Sequence, residues 1–119
     1  MPPEAGERAH FDRLASLYRA ASINALFRSE IEIPEGGVAR IRFEIGPEHL
    51  HAAGAAHGTV YFKMMDDAAF YACNSLVSDR FLLTTAFNLV FTRPLPLGGP
   101  DQGADQHRAR QARRHQAGP

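Results

Sequence analysis

Residues 57–76 read HGTVYFKMMDDAAFYACNSL. From Gly58 to about Leu76 the stretch has the length of an ordinary helix. Apolar side chains fall on nearly every side of it, and only Lys63, Asp66, Asp67, Asn74 and Ser75 interrupt them. A surface helix carries a single apolar stripe, so one that is apolar almost all round is buried among other elements. The reading therefore starts from a central helix that the rest of the chain must cover.

The flanking segments supply the cover. Phe11, Leu14, Tyr18, Ala21 and Ala25 recur at spacings of three and four, which predicts an amphipathic helix over 7–27. Ser29 to Ile33 is a short strand that stops at Pro34, and Pro34-Glu35-Gly36-Gly37 is a turn signal. In VARIRFEI, Ala39, Ile41, Phe43 and Ile45 alternate with Arg40, Arg42 and Glu44, the period of a strand with one wet and one buried face. Two strands joined by four turn residues form a hairpin. Gly46-Pro47 ends the second, and the small residues of His51 to Ala56 form a loop leading to the buried helix. Beyond Ser78-Asp79-Arg80, Phe81 to Arg93 reads as one strand of roughly 43 Å, stopped by Pro94 and Pro96. The expected class is α+β, an antiparallel sheet around a long central helix.

At 119 residues and 13.1 kDa the chain holds one domain. Thirteen Lys+Arg balance thirteen Asp+Glu, so charge offers no case for nucleic acid or an anionic membrane. The lone Cys73 excludes an internal disulfide framework. No apolar run approaches the ~20 residues of a membrane span, and no secretory signal precedes Glu4, Glu7 and Arg8. A cytoplasmic protein with no nucleic-acid or membrane partner is expected. The composition changes after residue 98: GPDQGADQHRARQARRHQAGP has no Val, Ile, Leu, Met or aromatic residue. Such a stretch buries too little surface to offset its ordering entropy. The reading is a foldable part over 1–98 and a disordered, low-complexity tail over 99–119.

The histidines are scattered without metal-ligand spacing, and no phosphate-binding glycine loop or nucleophile elbow is present. Chemistry gathers on the central helix. Gly58 opens it, where the first amide N–H groups lack intrahelical acceptors and sit at the positive end of the helix dipole. A glycine there lets a ligand oxygen approach the backbone and be polarised; the alternative is that it only permits a tight turn into the helix. Asp66 and Asp67 are carboxylates in an apolar helix, each either half exposed, bonded to a partner, or functional as a nucleophile or general base. Neighbours lie ~100° apart, so at most one faces a given site. Nine residues separate His57 from Asp66, about 13 Å along the axis. A carbonyl held at the helix N-terminus is out of reach of Asp66 on the same helix. If both serve one site, two helices lie antiparallel and the site forms between protomers.

Residues 51–95, HAAGAAHGTVYFKMMDDAAFYACNSLVSDRFLLTTAFNLVFTRPL, resemble the PaaI-like branch of the hotdog-fold acyl-CoA thioesterases. The likeness is carried by His57-Gly58, by Asp66 nine residues after the His, by Ala72-Cys73-Asn74-Ser75, by Thr84-Thr85 and by Arg93-Pro94. Thr59 replaces the second glycine of the family's His-Gly-Gly. The resemblance implies a hotdog fold and hydrolysis of an acyl-CoA thioester to free acid and CoA, with no cofactor apart from coenzyme A within the substrate. It also implies assembly as a homodimer or as a homotetramer built as a dimer of dimers. It gives Gly58 the role of polariser, Asp66 that of base or nucleophile, His57 that of shaping the loop, and Asn24 that of orienting water or the carboxylate. Asp67 falls where the family often has a small polar residue and is left out of that set. The family has two further long strands after Arg-Pro, and the composition of 99–119 reads as another reading frame or a truncated gene. The competing readings are a non-catalytic, truncated hotdog fragment and a module that binds acyl-CoA without cleaving it.

Overall fold

The structure, a computed structural model, describes residues 3–86, Asn88 and the backbone of His107 and Arg108. Helix α1 spans Ala5–Ala20. A reciprocal cap starts it: the Glu4 N–H donates to Glu7 Oε1 at 3.1 Å, and Glu4 at the N-cap takes the N3 amide. Phe11, Leu14, Ala15 and Tyr18 are buried, on the face the spacing predicts. The helix stops seven residues before the expected end at 27. Asn24 Nδ2 donates to the Tyr18 carbonyl at 2.6 Å, and this side-chain bond replaces a continuing backbone ladder. Residues Ser22–Leu26 form a 3₁₀ turn instead.

Strands β1 (Arg28–Glu35) and β2 (Val38–Glu44) make the expected antiparallel hairpin, with Ile31 opposite Ile41 and Glu32 opposite Arg40, but β1 continues past Pro34 through an irregularity to pair Glu35 with Val38, so the turn is Gly36-Gly37 rather than four residues. The turn needs Gly37, whose φ is +86° and whose N–H donates to Ser75 Oγ at 2.8 Å. Ile31, Ile33, Ala39, Ile41, Phe43 and Ile45 are buried, and Arg42 and Glu44 face water. The alternation read from the sequence therefore sets the register, because a one-residue slip would put those six side chains on the wet face.

Helix α2 (Gly58–Asn74) crosses the buried face of the hairpin. Val60, Met64, Ala68, Tyr71 and Ala72 join Phe11, Tyr18 and the strand residues in one core, and Tyr71 meets Tyr18 edge-on at 5.5 Å. The helix is not covered all round: Thr59, Phe62 and Leu76 beyond its end are exposed. Among the described residues no helix is long and apolar enough to cross a membrane.

The long strand expected from Phe81 is not formed over residues 81–86 or at Asn88; Phe87 and 89–93 lie outside the described residues. At Leu82 a side chain takes the place of a strand partner. Asn74 is almost wholly buried, its Oδ1 accepts the Leu82 N–H at 2.8 Å, and its Nδ2 donates to the Leu82 carbonyl at 3.0 Å. One amide thus satisfies both backbone groups of Leu82, which a ladder would otherwise do. Strand β3 (His107–Arg108) pairs antiparallel with Val38–Ala39, giving the sheet order β1-β2-β3. A two-residue pairing needs only backbone groups. The boundary at residue 98 and the rest of the polar tail lie outside the described residues.

Candidate functional site

The approach to α2 is held by backbone hydrogen bonds and by histidine side chains. Gly46 and Pro47–His49 form a 3₁₀ turn, and Leu50 bridges Ala56 across a small loop. Inside that loop the His51 N–H donates to the Ala55 carbonyl at 2.8 Å, and Gly54 takes φ +87°. The His57 N–H then donates to the His49 carbonyl at 2.8 Å, which fixes the residue before Gly58.

His57 is the N-cap. Its Nδ1 accepts the Thr59 N–H at 3.1 Å and lies 3.0 Å from Thr59 Oγ1, so Thr59 assists the cap rather than disturbing it. The Val60 N–H donates to the His57 carbonyl at 2.9 Å. Of the first three amides of α2, that leaves Gly58 as the one for which the described residues supply no acceptor. It sits at the positive end of a seventeen-residue helix dipole, the electrostatic setting for a ligand oxygen. The His51 ring stands 6.5 Å from the His57 ring, and its Nδ1 accepts the Ala53 N–H at 3.0 Å. Both imidazoles therefore keep Nε2 for other partners. Nothing in the spacing of the sequence marks His51; the loop closure brings it beside His57.

Asp66 lies more than two turns further along. It is half-buried, and its Oδ1 is shielded from solvent with no hydrogen-bond partner among the described residues. A buried carboxylate oxygen left unpartnered is costly in a folded chain and calls for a reason.

Asp67 has the opposite environment. Lys63, one turn back, reaches Asp67 Oδ2 at 2.5 Å and Asn24 Oδ1 at 2.5 Å. Its Nζ lies 4.9 Å from the Phe27 ring centre and 5.6 Å from that of Tyr18. Burial pushes the Asp67 carboxyl above its ordinary value; the hydrogen bond and charge of Lys63 pull it back, and the charge of Asp66 adds to the rise. Burial likewise raises the Tyr18 and Tyr71 hydroxyls to about 12, and the Ser29 hydroxyl, 2.6 Å from Tyr18, only partly offsets the first.

The structure thus brings His57 and Gly58 together and puts Asp66 on the same helix out of their reach. It seats Asn24 on Lys63, beside Asp67, with both ends of its amide used. Lys63 is absent from the sequence-derived set, although its i,i+4 spacing to Asp67 was open to view.

A family model described as the thioesterase superfamily matches residues 53–100, the loop, α2 and the segment after it. Comparison with curated proteins gives no match. Among solved structures the chain is similar to the E. coli PaaI protein from the phenylacetic acid degradation operon, with a TM-score of 0.67 and 22% identity. The match covers 78% of this chain, and the chain spans 65% of the length of that one. The resemblance to PaaI-like hotdog thioesterases read from residues 51–95 stands, and the fold is a hotdog-like helix on an antiparallel sheet.

Proposed function

We propose that this chain hydrolyses an acyl-CoA thioester at a site shared between two copies. The observation that carries the reading is the pairing of an acceptor-free Gly58 amide at the head of α2 with an unpartnered Asp66 oxygen farther along the same helix. The two are about 12 Å apart along the axis. An antiparallel second copy of α2 closes that gap, setting the Gly58 of one protomer against the Asp66 of the other, as in a homodimer or a dimer of dimers. The Gly58 amide stabilises the developing oxyanion. Asp66 either attacks the carbonyl carbon or takes a proton from water that attacks it. On the first route the C–S bond breaks to leave thiolate and a mixed anhydride on Asp66, which water hydrolyses to the free acid and the restored carboxylate, one proton of that water passing to the thiolate; on the second, the water oxygen ends in the free acid and the proton held by Asp66 passes to the departing thiolate. His57 holds the cap that aims the amide. The reaction calls for no resident cofactor, and the cytoplasm is where we place it.

The test uses two inactive variants. Asp66→Asn lowers turnover at least ~10²-fold, the scale of losing a positioned base, and Gly58→Val blocks close approach of the thioester. Refolded together, they form mixed dimers in which one site has both lesions and the other has neither. Random pairing restores up to about a quarter of wild-type activity. Mixed dimers that form and stay inactive refute a shared site. Binding of acyl-CoA by the wild type without release of thiol refutes hydrolysis.

A further inference from the structure

His49 is a titratable side chain enclosed in the fold, with 7% exposure, that takes no part in the proposed chemistry. Its ring nitrogens are both occupied. Nδ1 accepts the Gly46 N–H at 2.9 Å, and Nε2 lies 3.3 Å from the Leu26 carbonyl. A nitrogen that accepts carries no proton, so the proton sits on Nε2 and donates to Leu26. The ring stacks on Phe27 with centroids 5.3 Å apart and planes 8° from parallel. The main chain of the same residue accepts the His57 N–H at 2.8 Å. One residue therefore ties the end of the first 3₁₀ turn and the turn at Gly46 to the cap of α2.

We propose that His49 is a positioning residue: its neutral imidazole holds the Gly46–His57 loop, and through it the Gly58 amide, and protonation at Nδ1 releases that loop. The functional consequence rests on the proposed hydrolysis; the structural switch does not. A proton on Nδ1 converts an acceptor into a donor facing the Gly46 N–H, and the hydrogen bond between them is lost. Three charged groups stand around this contact. Glu48 Oε2 is 3.9 Å from Nε2, and the same carboxylate, half exposed and paired with Arg28 at 3.5 Å, lies with the Arg28 guanidinium against Gly46. Lys63 stands on the Phe27 ring, its Nζ 4.9 Å from the ring centre. Mild acid is the perturbation that adds a proton to imidazole.

The experiment measures amide-exchange protection in the full chain near neutral pH and at about pH 5, with the amide of Ala68 inside α2 as reference. Loss of one buried hydrogen bond is expected to cut protection at Gly46 and His57 about fivefold to tenfold in acid. His49→Gln keeps a carbonyl acceptor at the third position of the turn, as glutamine does in a capping box, and does not titrate. Its protection should be independent of pH. Ring ¹⁵N spectra at neutral pH should show Nδ1 bare. Unchanged protection in the wild type, an equal fall in His49→Gln, or a protonated Nδ1 at neutral pH each overturns the inference. None of these readouts uses thioester turnover, so failure of the proposed reaction and failure of this switch are separable.

Discussion

Lys63→Met removes an ammonium that is only 12% exposed and leaves Asp67, 23% exposed, without its partner 2.5 Å away. Breaking a fully buried pair from one side costs roughly 3–5 kcal/mol. Here both groups keep some access to water and Asp67 can take up a proton, so a loss of about 2–3 kcal/mol is expected near pH 8. Methionine preserves most of the packing on Phe27 and Tyr18, which confines the effect to charge. The pH dependence follows from the direction of the Asp67 shift. Burial already raises that carboxyl above its ordinary value, and the two opposing influences both come from Lys63. Without Lys63 the folded state binds a proton at pH values where the unfolded chain does not. Stability then falls as pH rises through that window and recovers as pH drops below it. The deficit of Lys63→Met should therefore be largest near pH 8 and shrink toward about pH 5. Urea unfolding followed by far-ultraviolet circular dichroism at both pH values measures it. Lys63→Met/Asp67→Asn should recover at least ~1 kcal/mol of the single-variant loss and abolish its pH dependence. A loss under about 1 kcal/mol at pH 8, or a loss no smaller in acid, refutes the buried-pair reasoning.

Asn74→Ala removes the bonds to the Leu82 N–H, the Leu82 carbonyl and the Phe70 carbonyl. Two backbone groups lose their partner, so a loss of about 2–4 kcal/mol is expected, with faster amide exchange at Leu82; unchanged exchange there contradicts the anchoring role. Gly37→Ala puts a Cβ at φ +86° and should cost about 1–2 kcal/mol in the same unfolding assay; a neutral result would mean the hairpin turn relaxes to another geometry.

The parts of the fold legible in the sequence are those set by periodicity. Ile41, Phe43 and Ile45 alternate with charges and lie buried in β2 and just beyond it, and the apolar run after Gly58 became the central helix. Two of the misreadings trace to asparagine side chains. Asn24 stops α1 by capping the Tyr18 carbonyl, and Asn74 satisfies Leu82 where a strand was expected. A hydropathy pattern registers asparagine only as polar, and which distant backbone group it will meet depends on the packed fold. The same holds at the candidate site. The His57, Gly58 and Asp66 spacing follows from helix geometry and was readable. His49 and His51 come to flank the head of α2 only because the loop closes through the Leu50–Ala56 bridge.

Two adjacent acids on a buried helix have different fates here, and the residue at position 63 accounts for the difference. Lys63 is one turn before Asp67, so its ammonium lies on that side of the helix, between Phe27, Tyr18 and Asn24. Two of its three donors go to Asn24 and Asp67, and its remaining surroundings are aromatic. Asp66, about 100° round the axis, keeps an oxygen with no partner among the described residues. Neutralising Asp67 also limits the cost of Asp66, since two uncompensated carboxylates on consecutive residues would raise each other's proton affinity. On the proposed reading, the chemistry needs a single free carboxylate facing another protomer's helix end. The i,i+4 lysine selects which of the two acids that is, and it does so without touching the substrate.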